Sequence, residues 1–228
     1  MPQDNYIIGR IRAIEARLLD ENKLIRMIDA ADFESAFNIL NESDYSVIFS
    51  TLPHPFDYEA MLQSALRELK YLSDTLAKDN HRVLAFWERF DCENMKILLK
   101  SKHKNIAPPR LLSYGNIDPE LLANYILNGS GWLEKRTKEL LLAAEKIYVQ
   151  TENFLPVFDY IDEAYAKYFA STLEQNFSIE KAKYKTTGIE PLLGFLLNKT
   201  AEIKKIGLIL LSKYNFVPSQ KIKEQISP

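Results

Sequence analysis

The sequence predicts an all-α protein built from repeated helical-bundle modules. Apolar residues recur at helical spacing along most of the chain, and no stretch alternates with a period of two over a full strand. The chain of 228 residues contains only seven glycines, and they are dispersed. This distribution disfavours both glycine-rich phosphate loops and a fold with many tight hairpins.

The first predicted helix lies in "YIIGRIRAIEARLLD", residues 6–20. One continuous apolar stripe runs along it: Ile7, Ile11, Ile14 and Leu18. Beside this stripe runs a line of small residues: Gly9, Ala13 and Ala16. We expect these small side chains to let a neighbouring helix approach closely. Arg10 and Arg17 flank the line, and we interpret them as packing or pairing groups rather than ligands.

Two shorter helices and one longer helix follow. Asp32 is the predicted N-cap of the helix in "DFESAFNILNES", and Asp57 is the predicted cap of the helix in "DYEAMLQSALRELKYLSDTL". The two prolines of "LPHPFD" separate these two helices.

A long helix is predicted from about Asn80 to Lys102, and one of its faces carries mostly large apolar residues. Asn94 lies on that face, so its amide needs hydrogen-bond partners inside the fold. The segment "NIAPPRLLSYGNIDP" then stops the helix with two adjacent prolines, a glycine and an Asp-Pro step. We place a module boundary here, which gives residues 1–105 as a first helical module. Residues 106–228 then form a second module, a remnant of a third, and C-terminal helices.

The second half of the chain shows further helical patterns. Asp118 and Pro119 predict a cap and a first-turn proline, Ser130 can cap the next helix, and Pro156 begins or kinks the one after it. The stretch from residue 190 predicts a long helix, a turn at "NFVP" and a short final helix. It weakly echoes the arrangement near the N-terminus, which suggests an internal repeat.

Composition limits the possible partners and compartments. Twenty-nine basic and 31 acidic residues give a net charge of −2, so no global field indicates binding to nucleic acid or to an anionic membrane. The single Cys92 cannot form an internal disulfide, which favours the cytosol. The longest apolar runs, "LLGFLL" and "IGLILL", are too short to span a bilayer. We therefore expect a soluble, cytoplasmic chain.

No motif of catalysis or cofactor binding emerges from the sequence. The three histidines, His54, His81 and His103, lack the spacing of metal ligands, and the chain contains no P-loop, GxGxxG or GxSxG motif. Asp91 and Glu93 flank Cys92 and should raise the pKa of its thiol, which makes it a poor nucleophile. We predict no cofactor, no metal and no catalytic residue. A small all-α enzyme, based on paired carboxylates such as Asp159 and Asp162, remains an alternative.

Tyrosine and phenylalanine are frequent, with twelve of each. The segment "AYAKYFAS" places Tyr165, Tyr168 and Phe169 close together on one helix. Such a cluster is typical of core packing or of the centre of a protein interface, and the sequence leaves both readings open.

Four stretches, in order, resemble the C subunit of archaeal and bacterial V-type ATPases, which corresponds to the d subunit of the eukaryotic vacuolar enzyme. They are "YIIGRIRAIEARLL" with "LIRMIDAADFESAFNILNESDY", "FDCENMKILLKSK", "IDEAYAKYF", and "EPLLGFLLNKTAEIKKIGLILLSKYNFVPSQKIKEQI". The second stretch carries an Asp-x-x-Asn helix. The matching positions proposed as structural or interface residues are Tyr6, Arg10, Arg12, Tyr45, Asp91, Asn94, Lys96, Asp162, Tyr165, Glu190, Pro191, Glu202 and Lys213.

The resemblance implies a non-catalytic rotor adaptor. Such a protein lies on the cytoplasmic mouth of the membrane rotor ring and receives the central stalk of D-type and F-type subunits. It transmits torque between ATP turnover and proton or sodium transport. In that role, the arginines of the first helix would pair with carboxylates inside the bundle.

Two departures from the family pattern accompany the resemblance. Family members are about a third longer, with three modules arranged as a funnel, whereas here the third module is reduced between Tyr168 and Glu190. Gly207 stands where the family pattern has an arginine. The alternative is a truncated paralogue, or an unrelated all-α scaffold, that binds a soluble protein partner.

Overall fold

The computed structural model describes residues 2–175 and 177–226, apart from the side chains of residues 2–5 and 7. This described part contains α-helices, one 3₁₀ turn and no strand, which confirms the predicted all-α class. The elements are α1 (Pro2–Glu15), α2 (Glu21–Asp29), α3 (Phe33–Asn38), the 3₁₀ turn (Ile39–Glu42), α4 (Ser46–Phe49), α5 (Tyr58–Ala77), α6 (His81–Lys104), α7 (Pro119–Asn128), α8 (Lys135–Thr151), α9 (Phe154–Thr172), α10 (Ile179–Ala182), α11 (Glu190–Tyr214) and α12 (Ser219–Ile226).

The chain forms two compact units that do not coincide with the division predicted at residues 105 and 106. Unit 1 combines Met1–Leu76 with Phe177–Pro228, and unit 2 is the intervening segment Ala77–Asn176. The reason is tertiary packing. Helix α6 packs against α7 and α9, which follow it in sequence, whereas α11 returns to pack against α1, α2 and α3. A unit assembled from the two ends of a chain leaves no local signal in the sequence.

Unit 1 is organised around α11, the longest helix. Its apolar face is buried, with Leu192, Phe195, Leu196, Ile203, Ile206 and Leu210 each at most 3% exposed. Helix α1 packs against α11, and its Ile11 is fully buried as predicted. The side chain of Ile7, on the same predicted stripe, lies outside the described side chains.

The small-residue line of α1 does not form the predicted helix contact. Gly9, Ala13 and Ala16 are all exposed, and a β-carbon added at Gly9 would meet nothing within 4 Å. The expectation was wrong because α1 turns its Ile11 side towards α11, which leaves the small residues on the outer side.

Unit 2 has a continuous apolar core between α6, α7, α8 and α9. Its buried members are Cys92, Met95, Leu98, Leu99, Leu122, Ile126, Leu133, Leu140, Leu141, Ala144, Val157 and Ile161. Aromatic residues of α6 are buried as predicted, with Phe86 and Trp87 fully inaccessible. Burying several apolar side chains on each of four helices fixes their mutual arrangement within the unit.

Most predicted caps are confirmed. Asp32 accepts a hydrogen bond from the Ser35 amide, Asp57 accepts one from the Ala60 amide, and Asp118 accepts two at the start of α7, where Pro119 is the first residue. The predicted Ser130 cap is wrong because Gly129 and Gly131 both adopt positive φ and extend the turn, so that α8 begins only at Lys135. Pro156 lies in the first turn of α9, after the Asn153 cap.

None of the helices in residues 2–175 and 177–226 is both long and apolar enough to cross a membrane.

Candidate functional site

Two polar residues on the buried face of α6 hold the loop that follows this helix. Asp91 and Asn94 are one helical turn apart and completely buried. The Asn94 amide donates to the Leu112 carbonyl and accepts from the Leu112 amide, both at 2.8 Å. The Asp91 carboxylate accepts from the main-chain amides of Asn116 and Ile117 at 2.9 and 3.0 Å. The predicted need of Asn94 for partners is therefore met by the loop backbone.

Gly115 allows this approach between α6 and the loop. A β-carbon at position 115 would overlap Oδ1 of Asp91, so no larger side chain fits unless the loop or the carboxylate moves. In the sequence, Gly115 stands out only as part of a helix break. Its packing role needed the structure.

Lys96 connects α6 to α9. Its ammonium contacts Asp162 Oδ1 at 2.5 Å and Glu93 Oε1 at 3.1 Å, and it is only 9% exposed. Burial acts to lower the pKa of Lys96, but the hydrogen bonds to Asp162 and Glu93 outweigh it and the pKa is raised. On the same helix α9, Tyr165 is half-buried and stacks on Phe169, while burial raises the pKa of Tyr165 to about 12.

In unit 1, Glu202 and Tyr45 form a buried polar centre, as Asp91 and Asn94 do in unit 2. The Tyr45 hydroxyl donates to Glu202 Oε1 at 2.8 Å, and the Leu19 amide donates to Glu202 Oε2 at 2.7 Å. Lys199 pairs with the same carboxylate, and its ammonium lies 4.4 Å from the centre of the Tyr45 ring. Burial, reinforced by the charge of Glu202, raises the pKa of Tyr45 far above its usual range. This group joins α11 to the segments that follow α1 and the 3₁₀ turn.

Lys213, near the end of α11, holds the C-terminal end of α2. Its ammonium donates to the Ala30 carbonyl at 2.6 Å and to the Ser219 hydroxyl at 3.1 Å, and Ser219 donates to the Ile28 carbonyl at 2.7 Å. A cation at a helix C-terminus is favourable because the carbonyls there lack helical partners. Ser219, at the start of α12, is a partner that sequence reasoning missed.

The remaining motif residues of unit 1 lie on α1 and at the beginning of α11. Arg12 pairs with Glu15 and donates to the Ala182 and Lys185 carbonyls at 3.2 and 3.1 Å. Glu190 and Pro191 are buried at the beginning of α11, where Glu190 contacts Lys185 at 3.3 Å.

Tyr6 and Arg10, also on α1, contact each other at 3.4 Å near the surface. Among the described side chains, Arg10 contacts a tyrosine, whereas Arg12 contacts both a carboxylate and main-chain carbonyls.

Unit 2 also contains a cleft of about 470 Å³ that sequence reasoning missed. A stacked pair forms part of its wall: Arg136 makes a two-pronged ion pair with Glu88, and its guanidinium carbon lies 3.4 Å from the centre of the Tyr168 ring. Burial raises the pKa of Glu88 to about 7, although Arg136 opposes the shift. The lining also includes Asp91, Asp118, Trp132 and Glu134. These residues come from separate segments of the chain, so no local sequence motif predicts the cleft.

No group of three or more His, Cys, Asp or Glu side chains in the described part of the chain is arranged to hold a metal ion. Cys92 lies within the core of unit 2, where burial raises the pKa of its thiol to about 12. The direction agrees with the prediction from its sequence.

Residues 7–177 match the ATP synthase (C/AC39) subunit family, which is three quarters of the chain. The chain belongs to this family. The match includes all of α6 with Asp91 and Asn94, and it confirms the resemblance drawn from the sequence motifs.

Relatives in three archaea extend the similarity towards both ends of the chain. Each is named as the C subunit of an A-type ATP synthase, and the identities are 22% over 97% of this chain in Methanocaldococcus jannaschii, 28% over 91% in Methanosphaera stadtmanae and 24% over 98% in Pyrococcus horikoshii. The matched regions are 57%, 56% and 60% of those proteins. This member of the ATP synthase (C/AC39) subunit family thus spans little more than half the length of these relatives.

Proposed function

We propose that this chain is a non-catalytic rotor adaptor of an A/V-type ATP synthase or ATPase. In this role it links the central stalk, made of D-type and F-type subunits, to the membrane rotor ring. It transmits torque for ATP-coupled proton or sodium transport and lies at the cytoplasmic side of the membrane, attached through its partner proteins. The observation that carries the proposal is the match of nearly the whole chain to proteins named as the C subunit of A-type ATP synthases.

The geometry of the motif residues is consistent with a mechanical role. Asp91 and Asn94 bind main-chain groups of the loop that follows α6, whereas Glu202 and Lys213 bind main-chain groups near the other end of the chain. Buried hydrogen bonds to backbone atoms fix segments in one position, because breaking them leaves unpaired polar groups inside the fold. A rotor part needs each compact unit to keep its shape under load, and these contacts supply stiffness within each unit.

The test is a pull-down of tagged chain from detergent-solubilised membranes of the source organism, with bound proteins identified by mass spectrometry. The proposal predicts recovery of central-stalk and ring subunits together. Failure to recover them, from an extract in which the rest of the ATP synthase is detected, would refute the adaptor role.

A second candidate is a truncated paralogue or helical scaffold that binds a soluble protein partner. The similarity covers only 56–60% of each relative's length, so it does not extend to contacts that those proteins make through their remaining residues. This candidate predicts that the same pull-down recovers a reproducible soluble partner whose binding survives removal of the membrane fraction.

A further inference from the structure

We infer that the cleft in unit 2 receives a basic side chain, lysine or arginine, from a partner protein. The inference rests on the proposed adaptor role and deepens it, because it assigns one contact point and the chemistry of its partner. The cleft lies beside α6 and is lined by residues from α6, the loop before α7, α7, the segment before α8, α8 and α9.

Charge complementarity is the first argument. Arg136 is ion-paired with Glu88, and the other charged residues among the described lining are all carboxylates: Asp91, Asp118 and Glu134. Asp118 accepts its hydrogen bonds from uncharged main-chain amides, which leave its negative charge in place. Glu134 is exposed and forms no ion pair with a described residue. The Lys138 ammonium lies 5.6 Å from the centre of the Trp132 ring, but the three carboxylates outnumber it. The cleft therefore attracts cations and repels phosphates.

The aromatic lining is the second and independent argument. Trp132 is 68% exposed. Leaving so much of this apolar ring in water costs free energy, and proteins usually bury a tryptophan side chain at least in part. Its ring already has the Lys138 ammonium 5.6 Å from its centre, and the Tyr168 ring carries the Arg136 guanidinium. Each of these two rings therefore already lies beside a cation of the same unit. Aromatic faces beside carboxylates bind ammonium and guanidinium groups through cation–π attraction as well as ion pairing.

Apolar side chains in the cleft can pack against the aliphatic part of the bound lysine or arginine. Leu84 and Leu121 are 37% and 40% exposed and belong to the lining. Lysine and arginine combine a charged head with an aliphatic stem, so one side chain can use both features of the cleft. At about 470 Å³, the cleft has room for such a side chain together with neighbouring atoms of the partner.

The fluorescence of Trp132 provides a direct test on the whole chain. The only other tryptophan, Trp87, is fully buried. The probe is N-acetyl-arginine amide, and N-acetyl-citrulline amide is the uncharged control of nearly the same shape. We expect a saturable change in emission with the arginine probe alone, which disappears in Trp132→Phe and weakens at high salt because ions screen the attraction.

Matched charge variants locate the binding. Glu134→Gln removes an exposed carboxylate of the cleft and should weaken arginine binding about threefold to tenfold, as expected for one charge at a partly exposed site. Glu163→Gln removes an exposed carboxylate of α9 outside the lining and should leave binding unchanged. Equal binding of the two probes, the absence of a saturable change, or the same affinity in Glu134→Gln would overturn the inference.

A second experiment tests this inference separately from the proposed function. Pull-downs compare the unmodified chain with Glu134→Gln and Glu163→Gln. Reduced recovery of the rotor proteins by Glu134→Gln alone supports the cleft as their contact. Equal recovery by all three chains overturns that assignment while the adaptor role stands. If the unmodified chain recovers no part of the ATP synthase, the adaptor role fails, and the fluorescence arm still decides whether the cleft binds a basic side chain.

Discussion

Asn94 and Leu112 exchange two hydrogen bonds of 2.8 Å, between the side-chain amide of one residue and the main chain of the other. The pair fastens a loop with two adjacent prolines to the buried face of α6. Asp91 repeats the arrangement one turn earlier, with the amides of Asn116 and Ile117. The Asp-x-x-Asn spacing therefore presents two side chains to one loop, because residues three apart share a helix face.

The substitution Asn94→Leu should lower the free energy of unfolding by about 2–4 kcal/mol, since it leaves the Leu112 amide and carbonyl without partners inside the fold. Urea unfolding measures the change. Asn128→Leu is the matched control in the same unit, at an exposed position, and should change stability by less than about 0.5 kcal/mol. We expect the folded fraction of Asn94→Leu to keep its partner affinity. An unchanged unfolding midpoint with lost binding would instead make Asn94 an interface residue.

Two glycine substitutions should change the free energy of unfolding in opposite directions. Gly115→Ala should destabilise the chain by about 1–3 kcal/mol, because the new β-carbon overlaps the Asp91 carboxylate. Gly9→Ala, in an exposed helical position with open space around it, should stabilise by about 0.5–1 kcal/mol. Thermal unfolding of both variants checks the pair. Similar effects at the two positions would contradict the close approach at residue 115.

Tyr45→Phe should cost about 1.5–3 kcal/mol, because it removes a buried hydroxyl that donates to the charged Glu202 while preserving the ring. Tyr71→Phe, where the side chain is 74% exposed, provides the control and should be nearly neutral. Urea midpoints of the two variants test the expectation. Equal midpoints would show that the Tyr45 hydroxyl contributes nothing to unit 1.

The Cys92 thiol should be unreactive in the folded chain. With its pKa raised to about 12, only about one part in ten thousand is thiolate at pH 8, and the residue is 1% exposed. A disulfide reagent that reports released thiolate should label less than about a tenth of the native protein in an hour and one thiol per chain in denaturant. Rapid labelling of the native protein would show that the core of unit 2 opens readily. The rate should rise with pH, because the thiolate fraction grows as pH approaches the raised pKa.

Local chemistry made several features predictable. Asp32, Asp57 and Asp118 cap helices because a short carboxylate before a helix satisfies amides a few residues later, a rule that depends only on nearby sequence. Ser130 obeys the same rule but fails as a cap, because Gly129 and Gly131 prolong the turn. The polar Asn94 on an apolar face likewise indicated a buried residue with partners, although the identity of those partners was hidden.

The all-α class, the positions of most long helices, most caps and the family could be predicted from the amino-acid sequence, because they depend on periodicity, turn residues and the order of motifs. The short helices α4 and α10 were not predicted, and α1 ends at Glu15, earlier than the predicted helix over residues 6–20. Three-dimensional packing was needed to show that the two ends of the chain share a unit, that the small residues of α1 lie outside, and that Gly115 meets Asp91. It also brought Glu134, Trp132 and Tyr168 to one cleft. Such contacts depend on which helix faces pack together, and that choice is made between segments far apart in sequence.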